Sequence, residues 1–296
     1  MTAVRLPAWS LRTLAAVLRL CGGDPAARGG HPPELLQRTL FRRIYRPRRS
    51  VALARLNGIR LLFPTAFFAP LALGGFDRLS TARVRSYLKP GMVAVDVGAH
   101  VGYYTLLFAR LVRPAGVVHA VEPAPANLAL LHANLRRLSR AAVVVHRCAA
   151  GAAAGTRDLL LTELGDTNSF FAHPLAPATH RITVPVAPLD ALVSAPAHLV
   201  KIDVEGAELD VLAGMSNLLA GCPSLVLLVE WNPACLRTAG HAPEELPRAL
   251  VDLGLEVTVL DEQAGMAQPV RTFLATHRVE DLPPTWFANL WASPPP

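Results

Sequence analysis

The chain is poor in lysine, in paired cysteines and in long apolar runs. The last two shortages argue against particular classes of protein. Only two of its 29 basic residues are lysines, Lys89 and Lys201. The four cysteines are widely spaced without a C-x-x-C pair, which argues against a zinc knuckle or a dithiol motif and favours reduced thiols in a cytoplasmic protein. The apolar stretches 11–20 and 61–76 are interrupted by arginine or proline and are shorter than the roughly 20 residues of a membrane-spanning helix.

Positive charge is concentrated at the N-terminus. Residues 1–49 carry a net charge of +8, whereas the rest of the chain carries −1. The prolines and arginines of this region predict a basic arm over residues 1–50. A lead-in over residues 51–90 follows, with a strand pair around Asn57-Gly58 and a helix that Ser80 caps. Such an arm can contact an anionic surface or an acidic partner, and a merely solvated arm is an equal alternative.

Residues 91–296 alternate apolar strands with helical patterns. Strands are predicted at 92–97, 117–121, 142–147, 199–203, 225–230 and 255–260, and residues 286–292 are expected to add a last edge strand. A single helix is expected at 207–219, and residues 149–187 interrupt the alternation as an inserted hairpin. This pattern predicts an α/β fold with a mostly parallel sheet and helices on both faces.

The most informative segment is the glycine turn of residues 96–104, which joins the first strand of this domain to a helix. Asp96 lies at the tip of the strand, where an acid repels a pyrophosphate and attracts positive charge. His100 occupies the third position of the dinucleotide fingerprint G-x-G-x-x-G, which requires glycine there. Both residues disfavour a nicotinamide dehydrogenase and favour a nucleoside with a cationic tail. S-adenosylmethionine has this chemistry through its ammonium and sulfonium groups.

A second acid follows the next strand. Glu122 ends the strand at 117–121, where an acid about 20 residues after the glycines accepts hydrogen bonds from ribose hydroxyls. Pro123 then stops the strand. The order of strand, acid, glycine turn, helix, strand and acid therefore indicates a nucleoside site, and a generic crossover whose acids cap helices is the alternative.

A third group of charges lies at the end of the strand at 199–203. Lys201, Asp203 and Glu205 alternate along the chain, so that on a strand they point to one side. Gly206 lets the chain turn, and Glu208 is favoured by the dipole of the next helix. The alternative is structural, with both glutamates at a helix N-terminus and Lys201 as their counter-ion.

Together, four segments resemble the FkbM family of S-adenosylmethionine-dependent methyltransferases, namely residues 95–105, 121–123, 189–190 and 201–208. The last segment, Lys-Ile-Asp-Val-Glu-Gly-Ala-Glu, is the most specific, and the resemblance extends from about Gly75 to Glu230. It implies a Rossmann-like class I methyltransferase fold with a seven-stranded sheet, one strand of which is antiparallel, and usually O-methylation. The family often has asparagine where His100 stands, and its likeness does not cover the basic arm.

The cofactor site is predicted from these motifs. Asp96 is expected to bind the amino group of S-adenosylmethionine, the glycine turn its methionine part, and Glu122 its ribose. Asn127 and Cys148-Ala149 are expected near the adenine. The full prediction comprises Asp96, Gly98, Ala99, His100, Gly102, Tyr103, Glu122, Pro123, Asn127, Cys148 and Ala149.

The catalytic prediction centres on Asp203, as base or as orienting group beside the transferred methyl, with Glu205 as second candidate and Lys201 holding their geometry. Residues 166–170 and 230–232 are expected to line the acceptor pocket.

A metal is a separate question. Asp203, Glu205 and Glu230 offer the oxygen ligands that magnesium prefers, but a site without a metal is the favoured expectation.

The expected reaction is O-methylation of a hydroxyl on a small molecule or a glycan. An RNA-directed methyltransferase that uses the arm is one alternative, and it would show salt-dependent RNA binding that is lost without residues 1–49. The net charge of −1 outside the arm argues against nucleic acid as a partner. A cofactor-binding scaffold without activity is the other alternative, disfavoured by the intact charged set at Lys201, Asp203 and Glu205.

Overall fold

The computed structural model describes residues 51–64, 76–136, 142–163, 165–194 and 196–295. The chain divides into two units, residues 1–76 and 77–296. The predicted basic arm and most of the apolar stretch 61–76 lie outside the described residues. Within the described ranges, no helix has both the length and the apolar character that crossing a membrane requires.

The described part of the first unit is an antiparallel strand pair, β1 (Val51–Leu56) and β2 (Ile59–Pro64). Asn57 and Gly58 form its two-residue turn with φ angles of 45° and 86°. Positive φ at both positions is the requirement of a type I′ turn, and Asn-Gly is the pair that meets it most readily.

The second unit alternates strands and helices along the chain. Its strands are β3 (Val93–Val97), β4 (Val117–Val121), β5 (Ala142–His146), β6 (Ala149–Ala150), β7 (Gly155–Thr162), β8 (Ala178–Ala187), β9 (Leu199–Ile202), β10 (Val226–Trp231), β11 (Glu256–Asp261), β12 (Met266–Pro269) and β13 (Ala288–Ser293). Its α-helices are α1 (Arg78–Tyr87), α2 (Tyr103–Val112), α3 (Pro125–Leu135), α4 (Leu189–Leu192), α5 (Glu208–Ala213), α6 (Ser216–Gly221), α7 (Pro233–Thr238), α8 (Glu245–Asp252) and α9 (Val270–Thr276).

Eight strands form the main sheet, in the order β12-β11-β13-β10-β9-β3-β4-β5. The adjacent strands β10, β9, β3, β4 and β5 are parallel to one another, and β13 runs antiparallel between β10 and β11. The predicted α/β fold with a mostly parallel sheet is therefore confirmed. The strand count is eight instead of seven because β12 pairs with the outer side of β11.

The C-terminal strand is an inner strand, so its predicted position at the sheet edge is wrong. Trp291 in β13 is paired with Leu228 of β10 on one side and with Thr258 of β11 on the other. The apolar sequence of β13 agrees with this position, since five of its six residues are buried.

The central strands are buried on both faces and read as nearly continuous apolar runs, as parallel strands do. Four of the five residues of β3 and all four of β9 are buried. Two of these buried residues carry charge, Asp96 in β3 and Lys201 in β9, and the strand register pairs them directly. A charge in such a strand is costly unless it is paired, so this pair points to the functional edge of the sheet.

Two helices differ from their predicted bounds. The helix expected at 207–219 is broken into α5 and α6 around Gly214, where an added Cβ would lie 2.1 Å from the carbonyl oxygen of Gly151. The helix α1 begins at Arg78 instead of at a Ser80 cap, because the carboxylate of Glu262 accepts from the N–H groups of Leu79 and Ser80. These bonds tie α1 to the second unit, whereas the sequence grouped it with the strand pair.

Residues 149–187 form a separate three-stranded sheet of order β6-β8-β7. The long strands β7 and β8 are antiparallel, and Ser169, in the connection between them, bridges back to Leu160. This hairpin brings its connecting segment over the carboxyl end of β9, as the contacts of Ser169 below show.

Candidate functional site

The candidate site lies where the strand order reverses. The sheet continues from β3 to β4 and β5 on one side and to β9 and β10 on the other. Ligands of open α/β sheets bind in the crevice at the carboxyl ends of the strands at such a switch point. The predicted motifs at the ends of β3, β4 and β9 therefore converge on one edge.

The glycine turn packs directly against the second motif. Gly98 has a φ of 78°, and an added Cβ would lie 1.8 Å from the carbonyl oxygen of Asp203. Gly102 has a φ of 94°, and its added Cβ would meet Leu131 at 2.5 Å. His100 also adopts a left-handed conformation, with a φ of 50°. Histidine and asparagine are among the few non-glycine residues enriched in the left-handed region, so His100 can adopt the backbone conformation that this turn requires.

Asp96 is buried, and one of its carboxylate oxygens lacks a hydrogen bond within the described part of the chain. The hydroxyl of Thr105 donates to Oδ2 at 2.5 Å, whereas Oδ1 has no hydrogen-bond partner among the described residues. Burial raises the pKa of Asp96, and Lys201 and Thr105 oppose the rise. Because buried polar groups are nearly always hydrogen-bonded, the unbonded Oδ1 indicates that a ligand or a water molecule donates a hydrogen bond to it.

Glu122 connects the end of β4 to the glycine turn. Its Oε2 accepts from the backbone N–H of His100 at 2.8 Å, and its Oε1 accepts from the N–H of Ala124 at 2.9 Å. The amide of Asn127 donates to the same Oε1 at 3.2 Å and to the carbonyl of Gly165 at 3.0 Å. Burial raises the pKa of Glu122 to about 7, against the effect of these donors. The structure thus brings Glu122, His100 and Asn127 together.

The remaining predicted cofactor residues surround this group. Cys148 and Ala149 follow β5 and are buried, and Ala149 packs in the same apolar cluster as Ala124, two residues after Glu122. The hydroxyl of Tyr103 lies 2.8 Å from that of Thr81 in α1. The roles of Pro123, Cys148, Ala149 and Tyr103 in cofactor binding stay predictions.

Lys201 is buried among carboxylates and an aromatic ring. Its ammonium donates to Oδ2 of Asp203 at 2.8 Å and lies 4.9 Å from the ring centre of Tyr104. Burial opposes the charge of Lys201, but Asp203 and Asp96 outweigh it, and the pKa of Lys201 is raised. Tyr104 in turn donates to Asp77 at 2.9 Å, and burial raises the pKa of Asp77 to about 7.

Three carboxylates meet beside this ion pair. Ligand oxygens of Asp203, Glu205 and Glu230 all lie within 4.8 Å of one another. Oε2 of Glu230 is buried and has no hydrogen-bond partner among the described residues. Burial, followed by the charges of Asp203 and Glu205, raises the pKa of Glu230 well above its usual range. Glu205 itself holds a strained backbone φ of 54°.

Glu208 has the structural role that was the alternative for it. Its carboxylate accepts from the N–H groups of Gly206 and Val204, at 3.0 and 3.2 Å. These bonds close the turn between β9 and α5, so Glu208 holds the loop on which Asp203 and Glu205 stand.

The segment 230–232 is divided between site and core. Only Glu230 reaches the carboxylate group. Trp231 is fully buried and donates from Nε1 to the carbonyl of Pro243 at 2.8 Å, and Asn232 caps α7 by accepting from the N–H of Cys235. The expectation that the whole segment lines the acceptor pocket is therefore wrong for the fully buried Trp231, and for Asn232 it stays a prediction.

The hairpin and α7 add residues that the sequence did not indicate. The hydroxyl of Ser169 donates to the carbonyl of Glu205 at 2.7 Å. Nε2 of His173 lies 3.6 Å from Oε2 of Glu205, and the thiol of Cys235 donates to the same oxygen at 3.2 Å. Ser169 falls inside the loop predicted at 166–170, but no pattern marks His173 or Cys235.

The chemistry of this edge suits a cationic ligand beside a proton acceptor. Acidic groups outnumber the one lysine: Asp96 is paired with Lys201 from the neighbouring strand β3, and Asp203 follows Lys201 at the exit of β9. Among the described residues, two sets of side chains also have donor atoms close enough to hold a divalent metal, Asp203 with Glu205 and Glu230, and His173 with Glu205 and Cys235.

Comparisons with known proteins agree with the motifs. A family model described as the methyltransferase FkbM domain matches residues 96–250, just over half of the chain. The chain is 49% identical over 70 residues to 31-O-demethyl-FK506 methyltransferase FkbM of Streptomyces tacrolimicus, which covers 24% of this chain and 26% of that protein. It is 30% identical over 145 residues to Methyltransferase 1 of Beauveria bassiana, which covers 42% of this chain and 58% of that protein.

Among solved structures, methyltransferase FkbM from Methylobacillus flagellatus KT aligns with a TM-score of 0.43 at 16% identity, over 76% of this chain and 52% of that one. The matched segments therefore span less than two thirds of the length of each of these relatives.

Proposed function

Because the chain belongs to the methyltransferase FkbM family, we propose that it transfers a methyl group from S-adenosylmethionine to a hydroxyl oxygen of a small molecule or a glycan. One observation carries this proposal. Asp96, with an open buried oxygen, and Asp203, paired with Lys201, meet at the switch point of the sheet. A cationic cofactor and a proton acceptor would then be adjacent.

The cofactor would lie against the glycine turn. Its ammonium group would supply the donor that Oδ1 of Asp96 lacks, directly or through a water molecule. The close approach of Gly98 to the carbonyl of Asp203 keeps side chains out of the space that its methionine part needs.

Glu122 would hold the ribose. Its position after β4 agrees with this role, and ribose hydroxyls would share its oxygens with the donors already present. The 3.2 Å contact from Asn127 is the longest of these bonds and the first that a hydroxyl would replace. Asn127 and Cys148-Ala149 would then lie towards the adenine.

Methyl transfer is an in-line displacement at the sulfonium. A bond forms between the acceptor oxygen and the methyl carbon, the carbon–sulfur bond breaks, and the hydroxyl proton must leave. We assign the proton to Asp203. Lys201 holds its Oδ2, whereas Oδ1 accepts no hydrogen bond from the described residues. Lys201 is the orienting group, and Glu205 remains the second candidate for the proton.

The proposed acceptor is a neutral hydroxyl compound. The relative from Streptomyces tacrolimicus is named as a methyltransferase of 31-O-demethyl-FK506, and it matches 24% of this chain. The acidic groups at the sheet edge give no reason to expect a phosphorylated acceptor, and they agree with a neutral hydroxyl compound.

The basic arm is proposed to make peripheral contact with an anionic surface. Its net charge of +8 supports this, and the net charge of −1 elsewhere argues against nucleic acid as the substrate. We propose that the enzyme works in the cytoplasm, in agreement with the free thiols of its three described cysteines, Cys148, Cys222 and Cys235.

The proposal is tested first by calorimetric titration of S-adenosylmethionine into the full-length protein. We expect micromolar binding that Asp96→Ala and Glu122→Ala each weaken by about tenfold or more. Each variant loses a hydrogen bond to the ligand, and the bond lost in Asp96→Ala is the one to the charged ammonium group. Asp252→Ala, at an exposed position in α8, is the matched control and should bind as the wild type does.

Binding that responds in this way justifies a screen of hydroxylated acceptors with a labelled methyl donor. A folded wild type that does not bind S-adenosylmethionine would contradict the proposal. Binding that neither variant weakens would contradict the assignment of the cofactor site.

A further inference from the structure

We infer that His173, Glu205 and Cys235 form a binding site for one zinc ion. The inference rests on the geometry of these side chains and does not depend on the proposed methyl transfer.

The three donor atoms come from separate parts of the fold. His173 follows Ser169 in the connection between β7 and β8, Glu205 lies in the turn after β9, and Cys235 lies in α7. All three are shielded from solvent: 6% of the His173 side chain and 12% of the Glu205 side chain are exposed, and Cys235 is buried. Imidazole, thiolate and carboxylate are the ligand types that zinc uses in proteins.

Two of the three separations between donor atoms are close to those around a zinc ion. Oε2 of Glu205 lies 3.2 Å from Sγ of Cys235 and 3.6 Å from Nε2 of His173, and the three atoms lie within 4.8 Å of one another. In a tetrahedral site with bonds of roughly 2.0–2.3 Å, neighbouring ligand atoms are roughly 3.3–3.5 Å apart. The two separations that involve Glu205 are therefore within a few tenths of an ångström of those in a zinc site, and the third, between Cys235 and His173, is no more than 4.8 Å.

The backbone around the ligands is already held in place. Ser169 donates from its hydroxyl to the carbonyl of Glu205 at 2.7 Å and also accepts from the N–H of Phe171 at 3.1 Å, which fixes the start of the segment that carries His173. The side chain of Asn232 caps the helix of Cys235. Ligands held by such outer contacts lose little freedom when a metal binds.

Zinc binding has an identifiable cost. The thiol of Cys235 now points its hydrogen at Glu205, and zinc would take the place of that proton. The N–H of Leu175 donates to Nδ1 of His173 at 3.2 Å, so the neutral ring carries its proton on Nε2. For Nε2 to bind zinc, this proton must move to Nδ1 and the Leu175 bond must break. That bond is long and exposed, so its loss is a small penalty.

The ligand set favours zinc over magnesium. Nitrogen and sulfur donors select zinc, whereas magnesium requires oxygen ligands in octahedral geometry. The oxygen-rich alternative would use Asp203, which is already bonded to Lys201 at 2.8 Å. Three protein ligands would leave a fourth position open, and Glu205 is itself within 4.8 Å of the carboxylates of Asp203 and Glu230. An acceptor hydroxyl bound there would have its pKa lowered beside the proposed proton acceptor.

The test uses the full-length protein after treatment with a chelator and dialysis. We expect it to take up one equivalent of zinc, measured by elemental analysis, and to bind cobalt(II) with a near-ultraviolet thiolate-to-cobalt absorption band. Cys235→Ala should abolish that band. Cys235→Ala and His173→Ala should each weaken zinc binding by more than about 100-fold, beyond the 10–100-fold typical of changes outside the ligand shell.

Two matched variants control for the loss of a cysteine or a histidine. Cys222→Ala removes another buried cysteine, and His180→Ala removes an exposed histidine of the same hairpin. Both should retain the cobalt band. Circular dichroism and S-adenosylmethionine titration of each variant show whether it is folded.

Three results would overturn the inference: a folded wild type without zinc affinity, undiminished zinc binding by Cys235→Ala, or zinc that only His119→Ala or His146→Ala releases. The last result would place the metal at the imidazole pair of β4 and β5, whose nitrogens lie 3.0 Å apart. A protein that binds S-adenosylmethionine but no zinc would contradict this inference alone. A protein that binds zinc but no S-adenosylmethionine would contradict the proposed function alone.

Discussion

Replacing Lys201 with methionine removes the buried cation on which the charges of this site depend. Methionine keeps the length and apolar stem of lysine, so the change isolates the ammonium group. That group donates to Asp203 at 2.8 Å, lowers the pKa of the buried Asp96 and faces the ring of Tyr104. Its loss leaves the carboxylates of Asp96 and Asp203 without this counter-charge.

The expected loss of stability follows from the exposure of the partners. Breaking a buried ion pair by removing one member costs about 3–5 kcal/mol. A third of the Asp203 side chain, 33%, is exposed, so water recovers part of that cost, and we expect about 2–3 kcal/mol. For a unit the size of residues 77–296, each kcal/mol lowers the melting temperature by about 2–4 °C. The variant should therefore melt about 4–12 °C lower at pH 8.

The loss should depend on pH. In the wild type, the pKa of Lys201 is raised, so its stabilisation is fully present below the unfolded value of about 10.4 and is lost only at higher pH. In the variant, the pKa of Asp96 rises further, and the folded state keeps a proton that the unfolded chain releases above pH of about 3.9. Stability of the variant then falls as pH rises, and its deficit is larger at pH 8 than at pH 5.

Thermal unfolding followed by circular dichroism at pH 5 and pH 8 measures this difference. Lys89→Met is the matched control, because Lys89 is the other lysine of the chain and is exposed, with a single bond to the carbonyl of Ser86. It should change stability by less than about 0.5 kcal/mol at both pH values. A deficit of Lys201→Met that is equal at pH 5 and pH 8, or no larger than that of the control, would refute the argument.

Two further predictions concern the cofactor motifs. Gly98→Ala should destabilise the protein by at least about 3 kcal/mol in urea unfolding and abolish S-adenosylmethionine binding, because its Cβ would lie 1.8 Å from the carbonyl oxygen of Asp203 at a φ of 78°. Gly240→Ala, at a φ of 88° with nothing within 4 Å of the added Cβ, should lose only about 1–2 kcal/mol, and equal losses would contradict the close approach. Glu122 has a folded pKa of about 7 against an ordinary 4.5, so it lowers stability as pH rises between those values. Glu122→Gln should make the fall in stability from pH 5 to pH 7 shallower, and an unchanged slope would contradict the shift.

The elements of the fold were largely predictable. The bounds of β4 agree with the sequence pattern, and those of β3 and β5 agree within one residue, because these strands are short apolar runs flanked by turn residues. The position of β13 was not predictable in this way. An edge strand and an inner strand differ in whether the second side of the backbone is bonded, and the sequence of β13 does not record which strand lies beside it.

The break between α5 and α6 has a similar origin. Gly214 is compatible with a continuous helix at a modest cost, so the pattern from 207 to 219 indicates one helix. The break accompanies the approach of Gly151, which is 63 positions earlier in the chain. Helix propensity is local, whereas this contact is a property of the packed hairpin.

The candidate site shows the same division. The sequence alone determined the motifs that lie within a strand and its exit: Asp96 with the glycine turn, Glu122, and Lys201 with Asp203 and Glu205. Their spacing carries the information, because neighbouring residues of a strand and turn have a fixed geometry whatever surrounds them. It also determined the family, through the segment 201–208.

Only the tertiary structure decided which side chains from distant segments join them. His173 and Cys235 reach Glu205 from a hairpin and a helix, and Glu208 is turned away to close its own loop. Such contacts depend on how loops and helices pack over the sheet, and packing is set by the summed burial of many apolar residues. A short sequence pattern does not specify the packing of a whole domain, so these contacts could be identified only from the folded structure.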